Sequence, residues 1–124
     1  MATAYANYKA IITTSELTTL YTVGSETTAI IKSVRVSNTD EENDCKISVY
    51  LVDTDSVSYN IQTNRQVQKG TTEEILAAGS LDQDSADSSI GAPVPLVAKE
   101  SEVVKVQAQN GGDLHVILSV LEIS

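Results

Sequence analysis

Residues Cys45 to Leu51 read Cys-Lys-Ile-Ser-Val-Tyr-Leu, and this strict alternation of apolar and polar side chains decides the fold class. A period of two puts Cys45, Ile47, Val49 and Leu51 on one face of an extended strand and Lys46, Ser48 and Tyr50 on the other. The single cysteine therefore belongs to a core-facing row. Just upstream, Asn38 to Asp44 (Asn-Thr-Asp-Glu-Glu-Asn-Asp) is a highly charged loop expected to stand in solvent. Before it, Thr27 to Ser37 predicts a long strand with Ile30, Val34 and Val36 on one face and Ser33, Arg35 and Ser37 on the other. Lys32 interrupts the apolar face, which suggests an edge position or a side chain that snorkels to water.

Shorter runs of the same kind extend in both directions. Tyr8–Thr13 and Leu17–Val23 are joined by Thr14, Ser15 and Glu16, and Gly24 to Glu26 form a turn. Downstream, Asp53 to Ser56 turn the chain into a strand over Val57–Gln66. Thr71–Ala78 is read as a strand, with a short helix competing because Glu73 to Ala78 are good helix formers behind a capping threonine. Gly79 to Pro95 is the longest loop. Val103–Gln109 and Leu114–Ile123 close the chain as a hairpin across Asn110, Gly111, Gly112 and Asp113.

The composition agrees with this reading. The chain has 124 residues, 41% of them hydrophobic but only 4% aromatic, and all five aromatics are tyrosines. Stiff β-branched Val, Ile and Thr fit a pleated surface better than a helix. The expected fold is all-β: a single antiparallel β-sandwich of jelly-roll-like type with about eight strands, a barrel being the alternative. Residues 1–7 are expected to be an N-terminal arm and residues 8–124 one domain carrying the long loop at 79–95.

Seventeen acidic and eight basic residues give a formal net charge of -9, which repels phosphate backbones and anionic membrane surfaces. No nucleic-acid or membrane partner is expected. Residues 1–10 lack a basic segment followed by an apolar run, and no stretch reaches the roughly 18 apolar residues of a membrane span.

With one cysteine and one histidine, neither an internal disulfide nor a Cys/His zinc site can form within the chain. His115 is a candidate base, but Cys45 lies in an apolar row where a thiol is inert, so no catalytic pair is expected. Asp82, Asp84 and Asp87 have the spacing of a calcium loop, but Asp87 stands where such a loop needs glycine and Pro93 where it needs glutamate. They are read as a solvated acidic loop, like Asp40, Glu41, Glu42 and Asp44 and like Asp53 and Asp55. A chain without Trp or Phe has little with which to line a sugar-cleaving cleft. The sequence thus predicts no enzyme, no cofactor and no metal.

Candidate partner contacts are Tyr5 in the arm, Tyr8 at the start of the first strand, and Tyr50 and Val52. Tyrosine brings contact area at low entropic cost and is enriched in interfaces.

Two stretches carry a family resemblance: "LYTVGSETTAIIKSVRVSN" (Leu20–Asn38) and "VKVQAQNGGDLHVILSVLEIS" (Val104–Ser124). They resemble the two halves of small β-sandwich virion proteins of tailed bacteriophages, including those of cyanophages and other marine phages. There, an L-Y-T-V ending, a turn and a T-T-A-I-I-K-S strand come first, and a last strand closes on S-x-L-E-I. The 79–95 loop departs from the pattern as an insertion. The resemblance implies a non-enzymatic structural protein in the virion, made in the host bacterial cytoplasm, with other virion proteins as partners and many copies or a homo-oligomer as its state. A decoration protein on the capsid exterior, bound to the major capsid protein, is the first expectation. A neck, tail, baseplate or fibre component is the near alternative, and a carbohydrate-binding module for host attachment the distant one.

Overall fold

The computed structural model describes residues 3–76, 95–109 and 113–124. Among them the chain forms nine β-strands: β1 (Thr3–Ile12), β2 (Thr18–Thr22), β3 (Thr28–Asn38), β4 (Cys45–Val52), β5 (Ser58–Val67), β6 (Thr72–Glu74), β7 (Leu96–Ala98), β8 (Val103–Ala108) and β9 (Leu114–Ile123). Sheet I runs β1-β9-β3-β6, with β7 also on β3, and sheet II runs β2-β8-β4-β5. Every pair is antiparallel.

The pairing is nested. β1 pairs β9, β2 pairs β8, β3 pairs both β6 and β7, and β4 pairs β5. Such a nest is one long hairpin, and rolling it up adds the β3–β9 and β4–β8 pairs that join its halves into two sheets. This is the jelly-roll arrangement of a β-sandwich. β6 and β7 occupy one strand position in two pieces, against Arg35–Ser37 and Ala29–Ile31 respectively. The segment expected as the longest loop falls between the two pieces and, apart from Pro95, lies outside the described residues. So do Asn110 to Gly112 of the expected hairpin turn and Ala77 and Ala78 of the expected strand.

The core fills the space between the sheets. Ala29, Ile31, Val34, Val36, Leu114, Val116, Leu118 and Val120 point inward from sheet I, and Leu20, Tyr21, Cys45, Ile47, Val49, Val104 and Val106 from sheet II. Full burial of each Ile, Leu or Val contributes about 1.5–3 kcal/mol.

Several expectations change at β-bulges. In β3 the register slips between Ile31 and Ser33, so Ala29 and Ile31 face inward before Lys32, and Val34 and Val36 after it. Ile30 therefore lies on the outer face, contrary to the sequence reading, and Lys32 sits exposed at a bulge in a central strand rather than at an edge. On the side away from β9, β6 and β7 leave residues 32–34 without strand partners. Glu74 fills the gap: its carboxylate accepts from the Ser33 hydroxyl, from the Val34 N–H at 2.9 Å and from the Leu76 N–H at 3.2 Å. The Ile75 N–H donates to the Val34 carbonyl at 2.8 Å. Of the segment Thr71–Ala78, the described residues Thr71–Leu76 form no helix; Thr72–Glu74 is strand and ends in a turn.

Two polar residues expected at the surface are buried. Ser48 is 5% exposed because a second irregularity, where β4 and β5 slip register, brings Asn64 over it with a φ of 46°. The Ser48 hydroxyl accepts from the Asn64 N–H at 2.9 Å. Asn38, placed in the charged loop by sequence, ends β3 and is 2% exposed. Its amide donates to the Asn43 and Val67 carbonyls, both at 3.0 Å, and accepts from the Asp40 N–H at 3.0 Å.

The expected arm is also corrected. From Thr3 onward it is strand, paired residue by residue with β9 from Thr3 opposite Ile123 to Ile12 opposite Leu114. The alternating Tyr5, Asn7, Lys9 and Ile11 against Ala6, Tyr8, Ala10 and Ile12 supply a continuous period-two pattern that the small residues conceal.

Candidate assembly surface

The four candidate contacts fall in three places. Tyr5 stands on the outer face of sheet I, 78% exposed. Tyr8 turns between the sheets, where its ring meets Tyr21 at a centroid distance of 4.5 Å and an interplanar angle of 36°. The Tyr21 hydroxyl donates to Glu122 Oε2 at 2.9 Å. Burial first, and then the Glu122 carboxylate, push the Tyr21 hydroxyl pKa up, and the same two causes raise that of Tyr8. This cluster links β1, β2 and β9 across the sandwich, and Tyr8 belongs to the packing rather than to a surface. Tyr50 and Val52 lie half-buried on sheet II, opposite Lys105 and Val103 of β8. Tyr5 and Tyr50 thus face opposite sides of the molecule and cannot touch one flat partner together.

What joins Tyr5 is a row the sequence reading missed. Strand register places Tyr5 opposite Leu121, Leu121 opposite Ile30, and Ile30 opposite Val97. Four apolar side chains therefore cross four strands of sheet I on its outer face, with Tyr5 78% and Val97 52% exposed. Ile117 and Ile11, 43% and 66% exposed, form a second apolar spot on the same face, set off from the row by Asn7, Ser119 and Lys9. The signal was legible in β9, where Ile117, Leu121 and Ile123 alternate with the core residues Leu114, Val116, Leu118 and Val120, so that both faces of one strand are apolar. The Ile30 error in β3 hid the rest.

Charge sets this face apart. Lys9 and Arg35 lie along its strands, opposite Ile117, and Lys32 lines an open groove there with Tyr5, Asn7 and Ser119. The Glu74 carboxylate faces them but is engaged by the β3 backbone. Acidic groups gather instead in the turns. Asp40 staples the β3–β4 loop by accepting from the Glu42 and Asn43 N–H groups at 2.8 and 3.3 Å, and these contacts, that from Glu42 first, hold its carboxyl below the ordinary range. Asp44 accepts from the Gln66 side chain and the Lys69 N–H, both at 2.9 Å, and Asp53 from the Asp55 and Val57 N–H groups at 2.9 and 3.0 Å. These carboxylates shape turns, and no group of three potential metal ligands occurs among the described residues. Asp82, Asp84 and Asp87 lie outside them.

Cys45 and His115 do not meet. The thiol is buried in the core of sheet II, whereas His115 stands on the outer face of sheet I with Nε2 3.7 Å from Asp113 Oδ1. The outer face of sheet II holds an open depression of Ser15, Ser48, Tyr50, Asn64, Gln107 and Gln109. Its polar groups largely satisfy one another: Gln107 Nε2 donates to the Ser15 carbonyl at 3.1 Å, and the Ser48 hydroxyl to Asn64 Oδ1 at 3.3 Å.

No protein-family model matches the chain, and no curated protein does. Among solved structures it is similar to a chain of the acidic stable capsid structure of Helicobacter pylori bacteriophage KHP30, at 15% identity over 99% of this chain and 98% of that one, with a TM-score of 0.46. It is also similar to a chain of the cyanophage Pam1 capsid asymmetric unit, at 13% identity over 97% and 83%, with a TM-score of 0.42.

Proposed function

We propose that the chain is a non-enzymatic structural component of a tailed-phage virion, coating the capsid exterior through the outer face of sheet I. The observation that carries the docking surface is the apolar row Tyr5, Leu121, Ile30 and Val97, which lies in register across four strands, with Tyr5 and Val97 open to water at its ends and Leu121 and Ile30 half-buried between them. Apolar surface gathered in this way marks an interaction site, and an isolated exposed apolar residue would not. The assignment to a virion is supported by the resemblance of Leu20–Asn38 and Val104–Ser124 to phage virion proteins. Tyr50 and Val52 on sheet II are a separate, second contact in this reading.

Mass-spectrometric copy number in purified particles tests the placement. Exterior decoration predicts on the order of hundreds of copies and a neck or tail position roughly six to twelve, as assembly symmetry requires. Particles lacking the protein should bind the intact chain and should lose binding to Leu121→Asp, whose outward side chain leaves the core untouched. Binding that survives this substitution would remove sheet I as the docking face. The sugar-binding alternative would need the depression around Tyr50, and the internal hydrogen bonding of its amides leaves little to recognise hydroxyls. Glycan-array binding abolished by Gln107→Ala would revive it.

A further inference from the structure

Among the described residues, four strand edges bound the two sheets, and three of them are blunted. β2 has five residues and a bulge, β6 and β7 have three residues each, and β5 slips register twice against β4. The fourth, β1, is ten residues long and keeps unbroken register with β9 from end to end. Along Thr3–Ile12 it contains no proline and one charge, Lys9. Proteins ordinarily guard such an edge with bulges, prolines, several charges or a covering element, because its open N–H and C=O groups can template another strand.

We infer that β1 pairs antiparallel with β1 of a second copy of this chain, across a two-fold axis at Asn7, so that sheet I continues through the dimer. Register follows from geometry. Both sandwiches must keep their second layers on the same side, so outward residues must face outward residues, and the paired residue numbers must sum to an even value. The longest such ladders within Thr3–Ile12 sum to 14 or to 16. The second would set Lys9 opposite Asn7 and leave its charge without an aromatic or acidic partner, so the sum of 14 is the favoured one. That register sets Tyr5 opposite Lys9 of the second copy twice over, an ammonium beside an aromatic face, and Asn7 opposite itself. No like charges meet directly, although each chain carries a formal charge of -9. A two-fold contact is self-complementary and closed, so it yields dimers rather than fibres.

The test uses the purified full chain without particles, so its outcome is independent of the virion reading. Sedimentation equilibrium should show a dimer. Tyr5→Lys, which puts two lysine pairs face to face, should raise the dissociation constant about tenfold, whereas Tyr5→Glu should preserve the dimer through ion pairs with Lys9. Loss of the dimer in both variants would show that Tyr5 acts only as apolar area and would overturn the register. Asn7→Cys should form a disulfide-linked dimer on mild oxidation, because directly opposed residues in an antiparallel pair bring their Cα atoms within about 5.5 Å. Tyr5→Cys, opposite Lys9, should not. A wild-type chain that stays monomeric at high micromolar concentration, or equal cross-linking at both positions, would overturn the inference. Monomer in solution combined with normal particle binding would assign the β1 edge to a capsid strand instead.

Discussion

Replacing Asn38 by aspartate is the sharpest probe of how this sandwich is closed. The side chain is 2% exposed, and its amide nitrogen serves two carbonyls at once, Asn43 in the charged loop and Val67 at the end of β5. It thereby ties β3 of sheet I to β5 of sheet II. Asn38→Asp keeps the shape and the acceptor for the Asp40 N–H but removes both donors. Two lost hydrogen bonds at about 1 kcal/mol each, plus the cost of a stranded buried acceptor, give a destabilisation of about 3–4 kcal/mol at pH 7. For a chain of this length that lowers Tm by about 10–15 °C. Burial raises the carboxyl pKa of the folded variant above its unfolded value of about 3.9. The native state then holds its proton longer than the unfolded state, so the deficit relative to wild type is smallest below about pH 4 and grows as pH rises through the raised value. Protonated, the new side chain can also donate to one of the two carbonyls. Thermal melts by circular dichroism, wild type against variant at pH 4 and pH 7, measure this difference. An unchanged Tm at pH 7, or a deficit independent of pH, would refute the buried anchoring role. Asn38→Ala should lose comparable stability without the pH dependence.

Sequence alternation alone makes Val49→Asp severe and Ser48→Asp harmless, whereas the structure makes both costly: denaturant melts should show a loss above about 4 kcal/mol for Val49→Asp and about 2 kcal/mol for Ser48→Asp. Tyr21→Phe should cost about 1–2 kcal/mol by leaving Glu122 without its hydroxyl donor. Because the folded Tyr21 pKa is raised, its stabilisation is complete below about pH 10 and is lost as pH climbs toward the folded value, so the variant should melt with less alkaline sensitivity than wild type. A chelator should leave Tm unchanged, and a drop of several degrees restored by calcium would show a metal site.

Alternation in Cys45–Leu51 and in Leu114–Val120 fixed strands and their inner faces correctly, because a period of two is a local property and burial rewards it wherever one face is covered. About eight short strands with short connections also foretold an antiparallel sandwich. Local alternation places Ile30 on the inner face, but the bulge at Lys32 reverses the phase of β3 and exists only where β9, β6 and β7 meet that strand. Tyr5, Asn7 and Lys9 look polar until β9 is present to pair them, so the sequence alone reads residues 1–7 as an arm. Ser48 and Asn38 look like surface residues because their burial comes from partners 16 and 29 positions away, Asn64 and Val67.

By itself, then, the chain's composition and alternation determined an acidic, all-β fold with Cys45 on a core-facing row. Tertiary structure alone decided that Tyr5, Leu121, Ile30 and Val97 form one outward-facing row, and that β1 is the single long unguarded edge among the described strands. Each of those features depends on which strands become neighbours. Neighbours in a jelly roll are separated by up to the whole length of the chain, so no local period can encode them.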